Sequence, residues 1–182
     1  LTLPPPFRSS PCEKFRLAAT DQDVFIACPA PKGFAYAVYR VDQEFKNPKL
    51  VVPTLSGCCG QMDIAAHDGK LWVAHNGRHR VECYDRDGKK LTRFGKTDRK
   101  AADGFGGCCE PKNLRLAANG DVFAAESGPP VAIKRFTPEG KFLGVIAAPT
   151  FENGCVRVTV DLSPDGKQFY LLDNDAGTIH VF

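Results

Sequence analysis

The sequence predicts an all-β fold, a β-propeller of four four-stranded blades. Three observations carry this reading. The segments "DVFIAC" (Asp23–Cys28), "KLWVAH" (Lys70–His75), "DVFAAE" (Asp121–Glu126) and "QFYLLD" (Gln168–Asp173) match one another. Their second residues, Val24, Leu71, Val122 and Phe169, lie 47, 51 and 47 residues apart, close to the roughly 40–50 residues of a four-stranded propeller blade. Between the β-type runs stand Asp-Gly and Asn-Gly pairs, the dipeptides of tight hairpins with positive φ. No segment keeps a helical period, and Val, Ile, Phe and Tyr fill the runs.

Each repeat carries the same order of strands. In the second, "MDIAAH" turns through Asp68-Gly69 into "KLWVAH"; "HRVECYD" follows and turns through Asp87-Gly88 into "KKLTRFG". The third reads "LRLAA", Asn119-Gly120, "DVFAAE", "AIKRFT", Glu139-Gly140, "KFLGVIA". The fourth stops at "TIHVF", a third strand with no fourth. The chain opens on "LTLPPPFRSSPC", which is similar to "LVVPTLSGCC" (Leu50–Cys59), a fourth strand entering the next repeat. Leu1–Leu3 are thus expected to complete the last blade and remove an exposed edge; the competing arrangement is a part of a larger propeller. One domain over 1–182 is expected, with repeats at about 12–56, 57–106, 107–153, and 154–182 plus 1–8.

Composition bounds the function. The 182 residues carry 24 Lys and Arg against 21 Asp and Glu, a net charge of +3. That is too small and too scattered for a nucleic-acid partner. The densest run, "GKTDRK" (Gly95–Lys100), is mixed in sign and reads as a solvated loop. No apolar run nears the about 20 residues that cross a bilayer. The chain shows no signal peptide and no initiator Met, and reads as a mature or trimmed product. Eight cysteines suit disulfides in an oxidising compartment, periplasmic or extracellular. They also suit thiolate ligation of a soft metal or an iron–sulfur cluster.

The runs "VAHNGRHRVECYDRDGKKL" and "AAESGPPVAIKRFTPEGKFLGVI" resemble NHL repeats, whose blades combine an apolar–Ala–acidic strand end, a small polar loop, Arg-apolar-x-apolar and Asp-Gly. The resemblance covers nearly the whole chain and is clearest over 57–182. "GKTDRKAADGFGGCCEPKNLRLAANGDVFAAESGPP" is similar to bacterial NHL proteins, common in planctomycetes, that carry Gly-Cys-Cys-Asn-Pro; here Glu110 replaces the Asn. The resemblance implies a propeller that serves as a platform for protein, RNA or ligand, or in a minority of members a lyase or hydrolase. Fold alone does not choose among these.

In repeat register the cysteines fall into place. Cys12, Cys58 with Cys59, Cys108 with Cys109, and Cys155 each precede a blade's first strand, with first members 46, 50 and 47 residues apart. First strands line a propeller's channel, so these loops converge on its mouth, and Gly57, Gly106 and Gly107 let backbones approach closely. Two chemistries fit the ring. One is thiolate ligation of an iron–sulfur cluster, or of tetrahedral zinc. The other is a disulfide network, including vicinal Cys-Cys bonds, stiffening small blades. No C-x-x-C spacing is present, and redox-active thiols are a third alternative. A second ring ends the second strands: Cys28, His75, Glu126 and Asp173. These types bind metal or move protons, although the NHL pattern itself places an acidic residue there to bond the loop.

Other residues read as structural. Cys83 is expected as a small core residue, with Glu82 facing the opposite way. Trp72, Phe123, Phe25 and Tyr170 are expected to pack between blades. Ser127 caps a loop, His75 and His79 sit in an exposed turn beside Arg78 and Arg80, and His180 points to solvent between Ile179 and Val181. No nucleophile elbow, phosphate-binding loop, dinucleotide fingerprint or zinc-protease motif appears. The expected function is a non-enzymatic module, exported or membrane-associated through a partner, presenting its loop face to a protein partner, with an axial mouth holding an iron–sulfur or other metal centre for electron transfer within a larger complex. The alternatives are a disulfide-stapled secreted binding propeller without metal, and a metal-dependent lyase or hydrolase using the Cys28–His75–Glu126–Asp173 ring.

Overall fold

The computed structural model describes residues 15–29, 35–57, 62–128, 131–150, 158–174 and 176–182. The first sheet is β1 (Arg16–Ala19), β2 (Asp23–Pro29), β3 (Ala35–Asp42) and β4 (Lys49–Ser56). The second is β5 (Ile64–His67), β6 (Lys70–His75), β7 (Arg80–Tyr84) and β8 (Lys90–Phe94). The third is β9 (Asn113–Leu116), β10 (Val122–Glu126), β11 (Ala132–Phe136) and β12 (Phe142–Ala147). The last holds β13 (Val158–Leu162), β14 (Phe169–Asp173) and β15 (Thr178–Val181). Each sheet is an antiparallel meander in chain order, with four, four, four and three strands among the described residues. This is the expected four-blade propeller, and each sheet lies inside one expected repeat. The proposed closing strand, Leu1–Leu3, lies outside the described residues.

The innermost strands pack in succession, β1 beside β5, β5 beside β9 and β9 beside β13. Apolar clusters fill the three interfaces between them. Phe25, Val38 and Leu55 of the first blade meet Ile64, Leu71 and Val73 of the second. Trp72, Val81 and Cys83 meet Leu114, Val122 and Phe136, and Phe123, Ala125 and Ile133 meet Val158, Phe169 and Leu171. Alternation along each strand supplies both faces of a blade, so burial on one face continues to the next blade. Cys83 is a core residue as expected. Burial pushes its thiol up to about 11, with Lys70 pulling down and Asp85 adding to the rise.

Two local expectations are corrected. The turns are not uniformly of the doubly left-handed type. Asp68 and Gly69 both have positive φ, but at Gly88, Gly120 and Gly140 only the glycine does. Each of those three donates its N–H to the carbonyl three residues earlier. They are type I turns closed by a left-handed glycine. The second correction is the face of β15. Ile179 and Val181 are the exposed residues, at 64% and 54%, while His180 is half-buried and stacks on Phe182. No apolar cluster joins the fourth blade to the first among the described residues.

The outer hairpin of the second blade leans on the first. Gly88 has φ 88°, and a Cβ there would lie 1.9 Å from the Val51 carbonyl oxygen. Gly69, at φ 67°, faces open space. Both Ala variants incur left-handed strain, but only Gly88→Ala also forces the blades apart. It is expected to cost about 1–3 kcal/mol more than Gly69→Ala in urea unfolding.

Candidate functional site

Two of the blade interfaces carry a latch at the end of the second strand. At the end of β6, His75 is buried, not in the exposed turn the sequence suggested. Its Nε2 accepts the Ser56 N–H at 2.9 Å, and its Nδ1 lies 2.9 Å from Glu82 Oε2. The backbone donor on Nε2 leaves the ring proton on Nδ1, donating to Glu82. Glu82 is fully buried and also receives Tyr84 Oη, Lys90 Nζ and Arg80 Nη2. Burial alone would raise its carboxyl. The bonds from His75, Lys90 and Tyr84 outweigh that and hold it far below the usual range.

The third blade repeats the latch with reversed polarity. Register places Lys134 opposite Ala124 as Glu82 stands opposite Val73. Glu126, the counterpart of His75, accepts the Gly106 N–H at 2.6 Å and pairs with Lys134 Nζ at 2.5 Å. Lys134 also donates to the Gly104 carbonyl and lies over the Phe105 ring. In both blades the last residue of the second strand grips the chain arriving from the previous blade. The other two members of that ring do something else. Asp173 accepts the Ala176 N–H at 3.0 Å, capping a turn. Cys28 is buried, and burial pushes its thiol up to about 12. Thus Cys28, His75, Glu126 and Asp173 do not converge. No three His, Cys, Asp or Glu side chains group to hold a metal among the described residues.

The cysteine ring is visible in part. Cys12, Cys58, Cys59 and Cys155 lie outside the described residues. Cys108 is an exposed free thiol. Cys109 is buried and disulfide-bonded. The two sulfurs are 3.6 Å apart, far beyond the about 2.05 Å of an S–S bond, so this pair is not a vicinal disulfide. Gly107 does permit close approach, but to Glu110 and Gly128: a Cβ on Gly107 would meet Glu110 Cγ at 2.6 Å, and Gly128 faces the Gly107 Cα.

Sequence reasoning passed over Glu110 as a site residue. It is fully buried. Its Oε1 accepts the Gly128 N–H at 2.7 Å, the Ser127 N–H at 3.1 Å and the Ser127 hydroxyl at 3.3 Å, which clamps the "GGCCEP" loop to the "ESGPP" loop. Ser127 is the loop cap that was expected. Glu110 Oε2 is buried without a partner. Burial pushes this carboxyl up to about 7, against the pull of Lys112 and of the Gly128 and Ser127 N–H groups. The available signal was a carboxylate standing where the similar motif has a neutral amide.

Beneath these loops the four inner strands surround a cavity of about 480 Å³. Arg16 stands opposite Ala27, Asn113 opposite Ala125 and Thr159 opposite Leu172, and the Asp63 carbonyl accepts the Ala74 N–H. Those partners are equivalent in the repeat, so Arg16, Asp63, Asn113 and Thr159 form one level around the axis, and all four line the cavity. Asp63 Oδ2 accepts the Leu114 N–H at 3.1 Å and Arg115 Nη1 at 3.0 Å; Oδ1 accepts the Ile64 N–H and faces Arg16 Nε at 3.9 Å. Burial raises the Asp63 carboxyl, opposed by Arg115, the Leu114 N–H and Arg16.

No family model and no curated protein sequence matches the chain. Solved structures do. A gluconolactonase from Xanthomonas campestris is 15% identical with TM-score 0.57, over 85% of this chain and 52% of its own. A streptogramin B lyase is 13% identical with TM-score 0.59, over 92% and 53%. A chain of the nidogen/laminin complex is 14% identical with TM-score 0.59, over 92% and 63%. The chain thus spans about half the length of the first two. At these identities the likeness is one of fold, and the chain stands among β-propellers whose members include enzymes and a partner in a protein complex.

Proposed function

We propose that the protein is an exported, disulfide-stapled binding propeller that acts without catalysis and presents its loop face to a protein partner. The observation that carries this reading is the engagement of His75 and Glu126, the two groups that latch adjacent blades. Both His75 nitrogens are bonded, to Ser56 and Glu82, and Glu126 is bonded to Gly106 and Lys134. A general base or nucleophile needs a free position within hydrogen-bond reach of a substrate, and these groups are spent on joining blades. The bonded state of Cys109 supports staples and an oxidising compartment.

The free, exposed thiol of Cys108 supports a second reading, thiolate ligation with an electron-transfer role, in which Cys109 would first have to be reduced. Thiol titration of the unfolded protein, with and without reductant, separates the two when paired with metal analysis. The staple reading expects missing thiols that reductant restores, and no stoichiometric metal. A full complement of thiols with bound iron or zinc would overturn it in favour of the ligation reading. A protein captured by the wild type but not by a variant with charge-reversed loop-face residues would identify the partner side.

A further inference from the structure

The axial cavity contains a polar site that the blade latches do not use. Two guanidinium groups flank one carboxylate there, Arg115 at 3.0 Å and Arg16 at 3.9 Å from the two oxygens of Asp63. Arg16 Nη1 donates to its neighbour's carbonyl, Phe15 O. Arg115 Nη1 donates to Leu114 O, and its Nε reaches the exposed Asp161. Among the described residues, neither Nη2 has a partner. Asp63 and the exposed Asp161 between them balance the two charges, while both arginine side chains stay about a third exposed, at 32% and 29%.

Asn113 adds a second demand. Its Nδ2 donates to the Lys112 carbonyl at 2.8 Å, which fixes the orientation of the amide. Its Oδ1 is left buried with no donor, in a residue that is 4% exposed. A buried acceptor without a partner costs about 1–3 kcal/mol unless a ligand or water supplies the hydrogen. The site therefore presents unpartnered donors in guanidinium geometry, which suits a planar carboxylate, next to a buried acceptor that lacks a donor, which suits a hydroxyl. An ammonium at this buried acceptor is disfavoured by the larger cost of stripping a charged donor of its water. The walls below are Ala18, Ala65 and Ala66, small enough to leave room, and the volume falls in the range of small-molecule pockets.

We propose that the axial cavity binds a small 2-hydroxy carboxylate, its carboxylate held by Arg16 and Arg115 and its hydroxyl donating to Asn113 Oδ1. Calorimetric titration of the whole protein tests this with four small probes: glycolate, its isostere glycine, acetate, which lacks the hydroxyl, and ethylene glycol, which lacks the carboxylate. Glycolate is expected to bind saturably and at least about tenfold more tightly than acetate or glycine, with no detectable binding of ethylene glycol. Arg115→Lys, which keeps the charge but loses the planar fork, and Asn113→Ala should each weaken glycolate at least about tenfold. Equal binding of acetate and glycolate, tighter binding of glycine, or no saturable binding at tens of millimolar would overturn the proposal. The probe series decides on wild-type protein even where a variant fails to fold, and the outcome is independent of the thiol count.

Discussion

Replacing Lys134 by methionine is expected to destabilise the protein by about 3–5 kcal/mol, the cost of leaving a buried charge without its partner. Lys134 is the cation of the third-blade latch. Removing it strands Glu126, which is 2% exposed, with only the Gly106 N–H. It also strips the Gly104 carbonyl of its donor and the Phe105 ring of its cation. Set against the typical 5–15 kcal/mol of a whole domain, this single change reaches a large fraction of total stability. Urea unfolding reads it directly. The double variant Lys134→Met with Glu126→Gln removes the stranded charge and keeps an acceptor for Gly106, so it should regain at least half of the loss. If Lys134→Met costs under about 1 kcal/mol, or the double variant is no better than the single one, the pair does not act as a buried latch.

The repeat period and the meander of each blade were legible because they rest on local signals: strand-length apolar runs and turn dipeptides at fixed offsets. What escaped depended on the neighbouring blade. Alternation alone says that Glu82 and Cys83 point to opposite faces, but each face of an inner-blade strand is covered, so both are buried and Glu82 needs four partners. His75 looked like a turn residue because its bonds to Ser56 and Glu82 join positions 19 and 7 residues away. His180 inverted because, among the described residues, the face holding Ile179 and Val181 meets no apolar cluster. The axial level of Arg16, Asp63, Asn113 and Thr159 shares no chemistry along its column, so a search for like residues in register, which found the cysteines, passed over it. Only the strand pairing shows that the four stand together.

Glu110→Gln is expected to stabilise the protein by up to about 3 kcal/mol at pH 8 and to change little at pH 4.5. In the folded protein the Glu110 carboxyl titrates at about 7, raised by burial; in the unfolded chain it titrates near the ordinary value of about 4.3. Between these values the folded state holds a proton that the unfolded state has released. Stability therefore falls as pH rises through the window and is recovered below the unfolded value. Glutamine keeps an acceptor for the Ser127 and Gly128 N–H groups and places a neutral amide where Oε2 now lacks a partner. The variant's melting temperature should be flat where the wild type declines, from about pH 5 to pH 8. Glu82 acts in the opposite sense: its lowered carboxyl lends stability above its unfolded value, lost as pH falls toward the folded one. Both proteins share that acid loss, so it cancels in their difference. Parallel profiles for the two proteins across pH 5–8 would mean that Glu110 is ionised in the clamp and that the Cys-Cys loop is held by a charge after all.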